Sequence, residues 1–126
     1  MLKMSMCVKR RADLSPQAFV EYWQNHHASL VRRHAGILRI IRYSQTLLLP
    51  DPALQQALLA SRGAKPYEYD GLGEVWWQSR DDMLALRDTP QAQAAIRELY
   101  EDECRFVDHH ASLLWYGEEM LIIGDK

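Results

Sequence analysis

Several things are scarce in this sequence of 126 residues, and each scarcity excludes something. Cysteine occurs twice, as Cys7 and Cys104, too few for a disulfide framework and without metal-ligand spacing. An excess of positive charge is missing. Lys and Arg total 15 against 17 Asp and Glu, a formal net charge of -2, so neither nucleic acid nor an anionic membrane is expected as a partner. No apolar run approaches the roughly 20 residues of a membrane span. Lys3, Lys9, Arg10 and Arg11 interrupt the only N-terminal apolar stretch, so no secretory signal is expected. There is no glycine-rich phosphate loop and no Gly-x-Ser-x-Gly nucleophile turn. The expectation is one cytoplasmic domain over residues 1–126 with reduced thiols.

What is present is ordinary globular composition, 48% hydrophobic and 25% charged. A chain this long buries about two-thirds of its unfolded surface and needs no staples. Residues 2–9 alternate, with Leu2, Met4, Met6 and Val8 on one side, which predicts a strand. Ser15 and Pro16 then form a cap-and-proline helix start, with Leu14 and Phe19 at the two positions of a hydrophobic staple. That helix is expected to run to about His34 and to stop around Gly36. Residues 37–49 read as a second strand. Residues 50–69 form an excursion, with a short helix from Asp51-Pro52 through Leu54, Leu58 and Leu59 to Gly63. Residues 71–78 read as a third strand. Helix starts follow at Ser79 and again at Thr89-Pro90, so the second helical region is broken there, and Ile96, Leu99, Tyr100, Phe106 and Val107 form its apolar stripe. Residues 112–123 read as a fourth strand.

The order β-α-β-β-α-β predicts an α+β, ferredoxin-like split βαβ fold: a four-stranded antiparallel sheet with helices on one face. Strands two to four carry large apolar neighbours at both parities: Ile37 with Leu38, Ile40 with Ile41, Trp76 with Trp77, Leu113 with Leu114. Both sheet faces are therefore expected to be buried, the helix-free one against a second copy of the chain, in a two-fold homodimer.

On a wheel of about 100° per residue, the first long helix separates cleanly. Phe19, Val20, Trp23, His26, His27, Leu30, Val31 and His34 share one arc. His27 on that arc is either a satisfied core residue or a general acid/base over a cavity between helix and sheet. Gly71 and Gly73 share one parity of the third strand, where glycine leaves room or lets another group approach closely; a bulge or a twist at the strand start is the alternative. Arg42, Tyr43, Gln45, Asp70, Glu74, Tyr116 and Glu118 are the candidate polar lining of such a space, with Asp70 a candidate to orient His27. For each of them the alternative is an arginine partner or an exposed sheet edge. A metal site is not expected, because His27 and His34 lie about 10 Å apart along the helix. The aromatic content, including Trp23, Trp76, Trp77 and Trp115, suits a flat apolar ligand and suits a dimer core equally. His26-His27-Ala28-Ser29-Leu30-Val31 nearly recurs as His109-His110-Ala111-Ser112-Leu113-Leu114, which reads as coincidence, with His109 and His110 as helix C-terminal residues.

Leu14-Ser15-Pro16, Phe19, Tyr22-Trp23, His27-Ala28 and Leu30-Val31 together resemble the signature helix of EthD-domain proteins. Tyr69-Asp70-Gly71 with Glu74 and Trp76 resembles that family's third strand, and Arg10 and Arg42-Tyr43 fit as well. The resemblance covers about residues 2–122. It implies a dimeric α/β barrel and a role in small-molecule metabolism. The family takes its name from ethyl tert-butyl ether degradation, where such a protein accompanies a cytochrome monooxygenase system. Similar proteins act as dehydratases or decarboxylases on polyketides, and related barrels include cofactor-free monooxygenases, cyclases and haem-degrading enzymes. His27 matches the family's helix histidine. Thr46 stands where a second histidine would be expected, which argues against a two-histidine arrangement. The excursion at 50–69 corresponds to a variable part of the family.

The expectation is an enzyme without a cofactor, acting on a small apolar or aromatic oxygenated compound by acid/base or oxygenase chemistry. His27 is the expected general acid/base, worth about 10² to 10⁴ in rate. Asp70, Tyr43, Tyr116 and Trp23 are the expected substrate contacts. The alternative is a non-catalytic protein that holds a hydrophobic metabolite or assists an oxygenase; haem binding through a histidine ranks last.

Overall fold

The computed structural model describes residues 1–86 and 88–125. Strand β1 (Leu2–Val8) follows the alternation of its sequence. Helix α1 (Pro16–Glu21) starts as its residues dictate: the Ser15 hydroxyl accepts the Ala18 N–H at 3.1 Å, and Pro16 opens the helix. Leu14 packs against the cluster that holds Phe19, as a staple requires. The helical path continues through a π turn (Tyr22–His27) into α2 (Ala28–His34) without leaving the right-handed helical region.

The stop differs from the one expected at Gly36. Ile40 donates its N–H to Ala35 O at 2.9 Å and Arg39 donates to Gly36 O at 3.2 Å, with Arg39 at φ 54°. This is a Schellman ending in which an arginine holds the left-handed position that usually selects glycine. It consumes residues 35–39, so strand β2 is only Arg42–Leu47. Ile37 to Ile40 are therefore not strand residues. Leu38 turns inward against Leu86, Ala92 and Ala95, while Ile37 and Ile41 stay about half exposed.

Helix α3 (Pro52–Arg62) is capped by Asp51 and closed by Gly63 in the left-handed conformation, as expected. Strand β3 (Gly71–Trp77) leads to α4 (Arg80–Ala85) and α5 (Pro90–Glu103), each capped by the hydroxyl residue before it, Ser79 and Thr89. The break expected between them is present. His109 and His110 lie beyond α5, in a 3-10 turn (His109–Ala111) that Asp108 caps. Strand β4 (Leu113–Glu118) is shorter than the run at 112–123, and Met120, Ile122 and Ile123 beyond it are exposed.

The four strands pair antiparallel in the order β2-β3-β1-β4, the ferredoxin-like arrangement. The register places Met4 between Val75 and Tyr116, and Met6 between Gly73 and Leu114. These residues face the helices. Phe19, Trp23, Phe106, Val107, Met6 and Val8 form the main core cluster on that side. Each fully buried large side chain there contributes about 1.5–3 kcal/mol. The opposite face carries Leu72, Leu113 and Trp115, the last two about half exposed. Trp76, on that face, is buried by polar neighbours: Arg42 lies 4.5 Å and Lys3 5.3 Å from its ring, and its indole N–H donates to Glu119 at 2.8 Å. No helix among the described residues is long and apolar enough to cross a membrane.

Candidate functional site

A cavity of about 650 Å³ lies between the helices and the sheet. Met4, Met6, Val75 and Trp77 line it from the sheet, Trp23, His27 and Val31 from the first helical path, and Ile96, Leu99 and Tyr100 from α5. The lining is mostly apolar, with a few polar groups, as small-molecule sites are.

The π turn shapes the histidine's position. Ala28 donates its N–H to Trp23 O, a bond across five residues. In α geometry residues five apart point about 140° away from each other. In a π turn they stack on one face. Tyr22 and His27 therefore both reach one carboxylate, Asp102 on α5. His27 Nδ1 lies 2.8 Å from Asp102 Oδ2, and the Tyr22 hydroxyl donates to Oδ1 at 2.5 Å. Arg105 Nη1 donates to Oδ1 at 3.1 Å, and His26 Nε2 stands 3.7 Å away.

Asp102 is wholly buried and His27 is 5% exposed. Burial pushes the Asp102 carboxyl up, but the hydrogen bonds from Tyr22 and His27, with the His27 and His26 charges, outweigh it and hold the group below its usual range. An ionised carboxylate only accepts, so in the neutral imidazole the proton sits on Nδ1 and the lone pair on Nε2. Nε2 has no partner among the described residues, and His27 borders the cavity. Burial and the bond to Asp102 push the Tyr22 phenol up to about 12, so it remains a donor.

Tyr43, on β2, lines the cavity and is partly buried. Its oxygen accepts from Gln45 Nε2 at 2.9 Å, and the same amide donates to Trp23 O at 2.9 Å. Burial raises the Tyr43 phenol more than the Gln45 and Trp23 bonds lower it, so its O–H proton is retained, and it has no acceptor among the described residues. Tyr116, on β4, lines the same cavity at its half-exposed side, its ring edge-on to Trp77 at 6.5 Å.

Gly73 lines the cavity, whereas Gly71 does not and instead lets another group approach closely. A Cβ at Gly71 would meet Trp23 Cζ3 at 2.6 Å, and one at Gly73 would meet Trp23 Cζ2 at 3.4 Å. The group that approaches closely is the Trp23 indole, which ends the cavity on that side. Asp70 is not among the lining residues. It accepts the Arg10 N–H at 2.9 Å, faces the Arg10 guanidine at 3.3 Å and lies 3.9 Å from Lys9, anchoring the end of β1. Glu74 pairs with Lys3 at 2.7 Å, and Glu118 is exposed. Among the described residues no cluster of three metal-ligating side chains occurs.

Asp102 and Glu103 are absent from the residues that the sequence pattern singles out, and Tyr22 enters there only through the family resemblance. Asp102 had a signal: Ala92, Ala95 and Leu99 lead to it at helical spacing, so a carboxylate stands on the buried stripe of α5.

Fold and site together define a small ferredoxin-like α+β protein with an imidazole–carboxylate pair at the wall of an apolar cavity. The EthD domain family matches residues 11–110, and the chain belongs to that family. No curated protein matches the sequence. Among solved structures, the chain is similar to an EthD family protein from Bacillus halodurans (TM-score 0.62, 21% identity, 95% of this chain and 99% of that one). It is similar to an EthD-like protein from Ralstonia eutropha (TM-score 0.63, 15% identity, 99% and 96%). A dimeric protein of ferredoxin-like fold from Bacteroides fragilis is also similar (TM-score 0.55, 13% identity, 94% and 95%).

Proposed function

We propose that this chain is a cofactor-independent enzyme that moves protons on a small apolar or aromatic oxygenated compound, with His27 as the general base. The observation that carries the reading is the buried Asp102, whose bond to Nδ1 leaves Nε2 as the basic nitrogen of a histidine that borders the cavity. A carbonyl compound in the cavity gives the simplest step. Nε2 takes a proton from the carbon next to the carbonyl, the C–H electron pair becomes the new C=C bond, and the oxygen takes the charge. Tyr43 donates its free O–H to that oxygen, and Asp102 stabilises the imidazolium. Returned to carbon, the proton completes an exchange; given to a leaving hydroxyl, it completes a dehydration. Trp23 and Tyr116 bound the ligand at the two ends.

The test is proton exchange of 2-tetralone in D2O, followed by NMR. The wild-type protein is expected to accelerate loss of the protons next to the carbonyl. His27→Ala is expected to return it to background while binding, read by tryptophan quenching, changes by less than a few fold. Full exchange activity in His27→Ala would refute the role. The mostly apolar lining favours one second reading, a carrier or accessory protein of an oxygenase, for which the wild type binds 2-tetralone without accelerating exchange.

The active form is proposed to be a homodimer that covers Leu72, Leu113 and Trp115 on the helix-free sheet face, supported by their exposure and by the dimeric ferredoxin-like relative. Sedimentation as a compact monomer would oppose it. The free thiols Cys7 and Cys104 fit a reducing compartment such as the cytoplasm.

A further inference from the structure

The near-repeat in the sequence has a physical counterpart. Its two copies each bring an imidazole, the second histidine of the first copy and the first histidine of the second, to one of two consecutive carboxylates on α5. His27 Nδ1 meets Asp102 Oδ2 at 2.8 Å, and His109 Nε2 meets Glu103 Oε1 at 3.0 Å. The order is inverted between them. At Asp102 the imidazole borders the cavity and the carboxylate stands behind it. At Glu103 the carboxylate borders the cavity and the imidazole stands behind. The His109 ring lies 5.3 Å from the Tyr100 ring, which holds it in place. Glu103 Oε2 has no partner among the described residues.

We propose that Glu103, braced by His109, is the specificity-determining acceptor of the cavity: it takes the hydroxyl of a phenol or alcohol and turns away ligands that are carboxylates or whose oxygen is methylated. A carboxylate can only accept, so it matches a ligand O–H. Such charge-assisted bonds are about twice as strong as neutral ones. Ile96, Leu99, Val107 and Leu114 share the lining, so apolar side chains flank the bond, and a second carboxylate placed beside Glu103 is repelled. Tyr43 supplies the opposite polarity. Burial first, and then the Glu103 charge, keep its phenol protonated. The cavity thus reads two oxygens, one that accepts from Tyr43 and one that donates to Glu103.

This assignment rests on the reading that the cavity holds an apolar oxygenated compound, and the test separates the two. Trp23 and Trp77 line the cavity, so quenching of tryptophan fluorescence reports occupancy. The probes are 2-naphthol, 2-methoxynaphthalene and 2-naphthoate. The wild type is expected to bind 2-naphthol about tenfold or more tightly than 2-methoxynaphthalene, with 2-naphthoate weakest. Glu103→Gln is expected to bring the three within about threefold of one another, chiefly by weakening 2-naphthol and strengthening 2-naphthoate. His109→Gln, which frees Glu103 without removing its charge, is expected to lose part of the discrimination. Melting curves that overlay the wild type show that the variants are folded. Equal binding of the three probes to the wild type, or undiminished discrimination in Glu103→Gln, overturns the assignment and leaves the cavity reading standing. Failure of all three probes to quench overturns both.

Discussion

The first helical path and helix α3 have similar capping and opposite fates. Both start at a capping side chain followed by proline, Ser15-Pro16 and Asp51-Pro52. The first buries Phe19, Trp23, His27, Ala28, Leu30 and Val31, while α3 buries no residue and leaves Leu54 and Leu58 more than half exposed. Caps therefore decide where a helix begins, and packing decides what it is worth. The first path is bound to the sheet and to α5 through its aromatic residues and Asp102. Helix α3 is held mainly by its own ends, so its sequence is free to vary without disturbing the cavity.

The contrast can be broken most sharply at Asp102. Asp102→Ala leaves the buried His27 and the Tyr22 hydroxyl without their acceptor, and a loss of about 3 to 5 kcal/mol in urea unfolding is expected. Gly71→Ala attacks the same region through packing. The new methyl collides with Trp23 and with the Thr46 carbonyl at 2.9 Å, for an expected loss of about 1 to 3 kcal/mol. Tryptophan emission should shift with it.

A smaller effect follows from pH. Asp102 is held below its usual value in the fold, so its stabilisation is present above the unfolded value of about 3.9 and is lost as pH falls through the folded value. Melting temperatures measured from pH 6 downward should therefore fall at the acid end, and Asp102→Asn should flatten that limb. Tyr22 gives the opposite sign. Its value is raised to about 12, so its contribution is present below about 10 and is lost as pH climbs toward 12. Tyr22→Phe should remove that alkaline loss. The smallest change is expected in α3, where Leu58→Gln should alter stability by less than about 0.5 kcal/mol. A larger loss would show that α3 packs against something, and a concentration-dependent loss would identify it as a second copy.

Local chemistry in the sequence carried most of the fold. The cap-and-proline starts at Ser15, Asp51 and Thr89, the stop at Gly63 and the alternation of residues 2–9 all correspond to real elements. The misreadings arose where tertiary packing or a rarer backbone state intervenes. The run at 37–41 is as apolar as a strand, but Leu38 and Ile40 are apolar because they seal the gap beside α5, and Arg39 takes a conformation that composition does not favour. The placement of His27 on the buried face was legible from its wheel position. Its partner was harder to read: a wheel of uniform pitch separates Tyr22 from His27, and Asp102, although in line with Ala92, Ala95 and Leu99, stands in the acidic run 101–103 that reads as a solvated surface. Asp70 shows the reverse error: a carboxylate beside the third strand suggested a ligand contact, and its neighbours Arg10 and Lys9 claim it instead.

The π turn makes chain length itself a variable of the site. Its five-residue bond accommodates one residue more than an α turn does. Deleting a single residue between positions 22 and 27 would let the helix run straight, keep both caps and much of the apolar stripe, and rotate the imidazole off the carboxylate. An insertion or deletion there is thus worth more than most substitutions, since a gap of one position would separate relatives that can share this imidazole–carboxylate pair from relatives that keep only the scaffold.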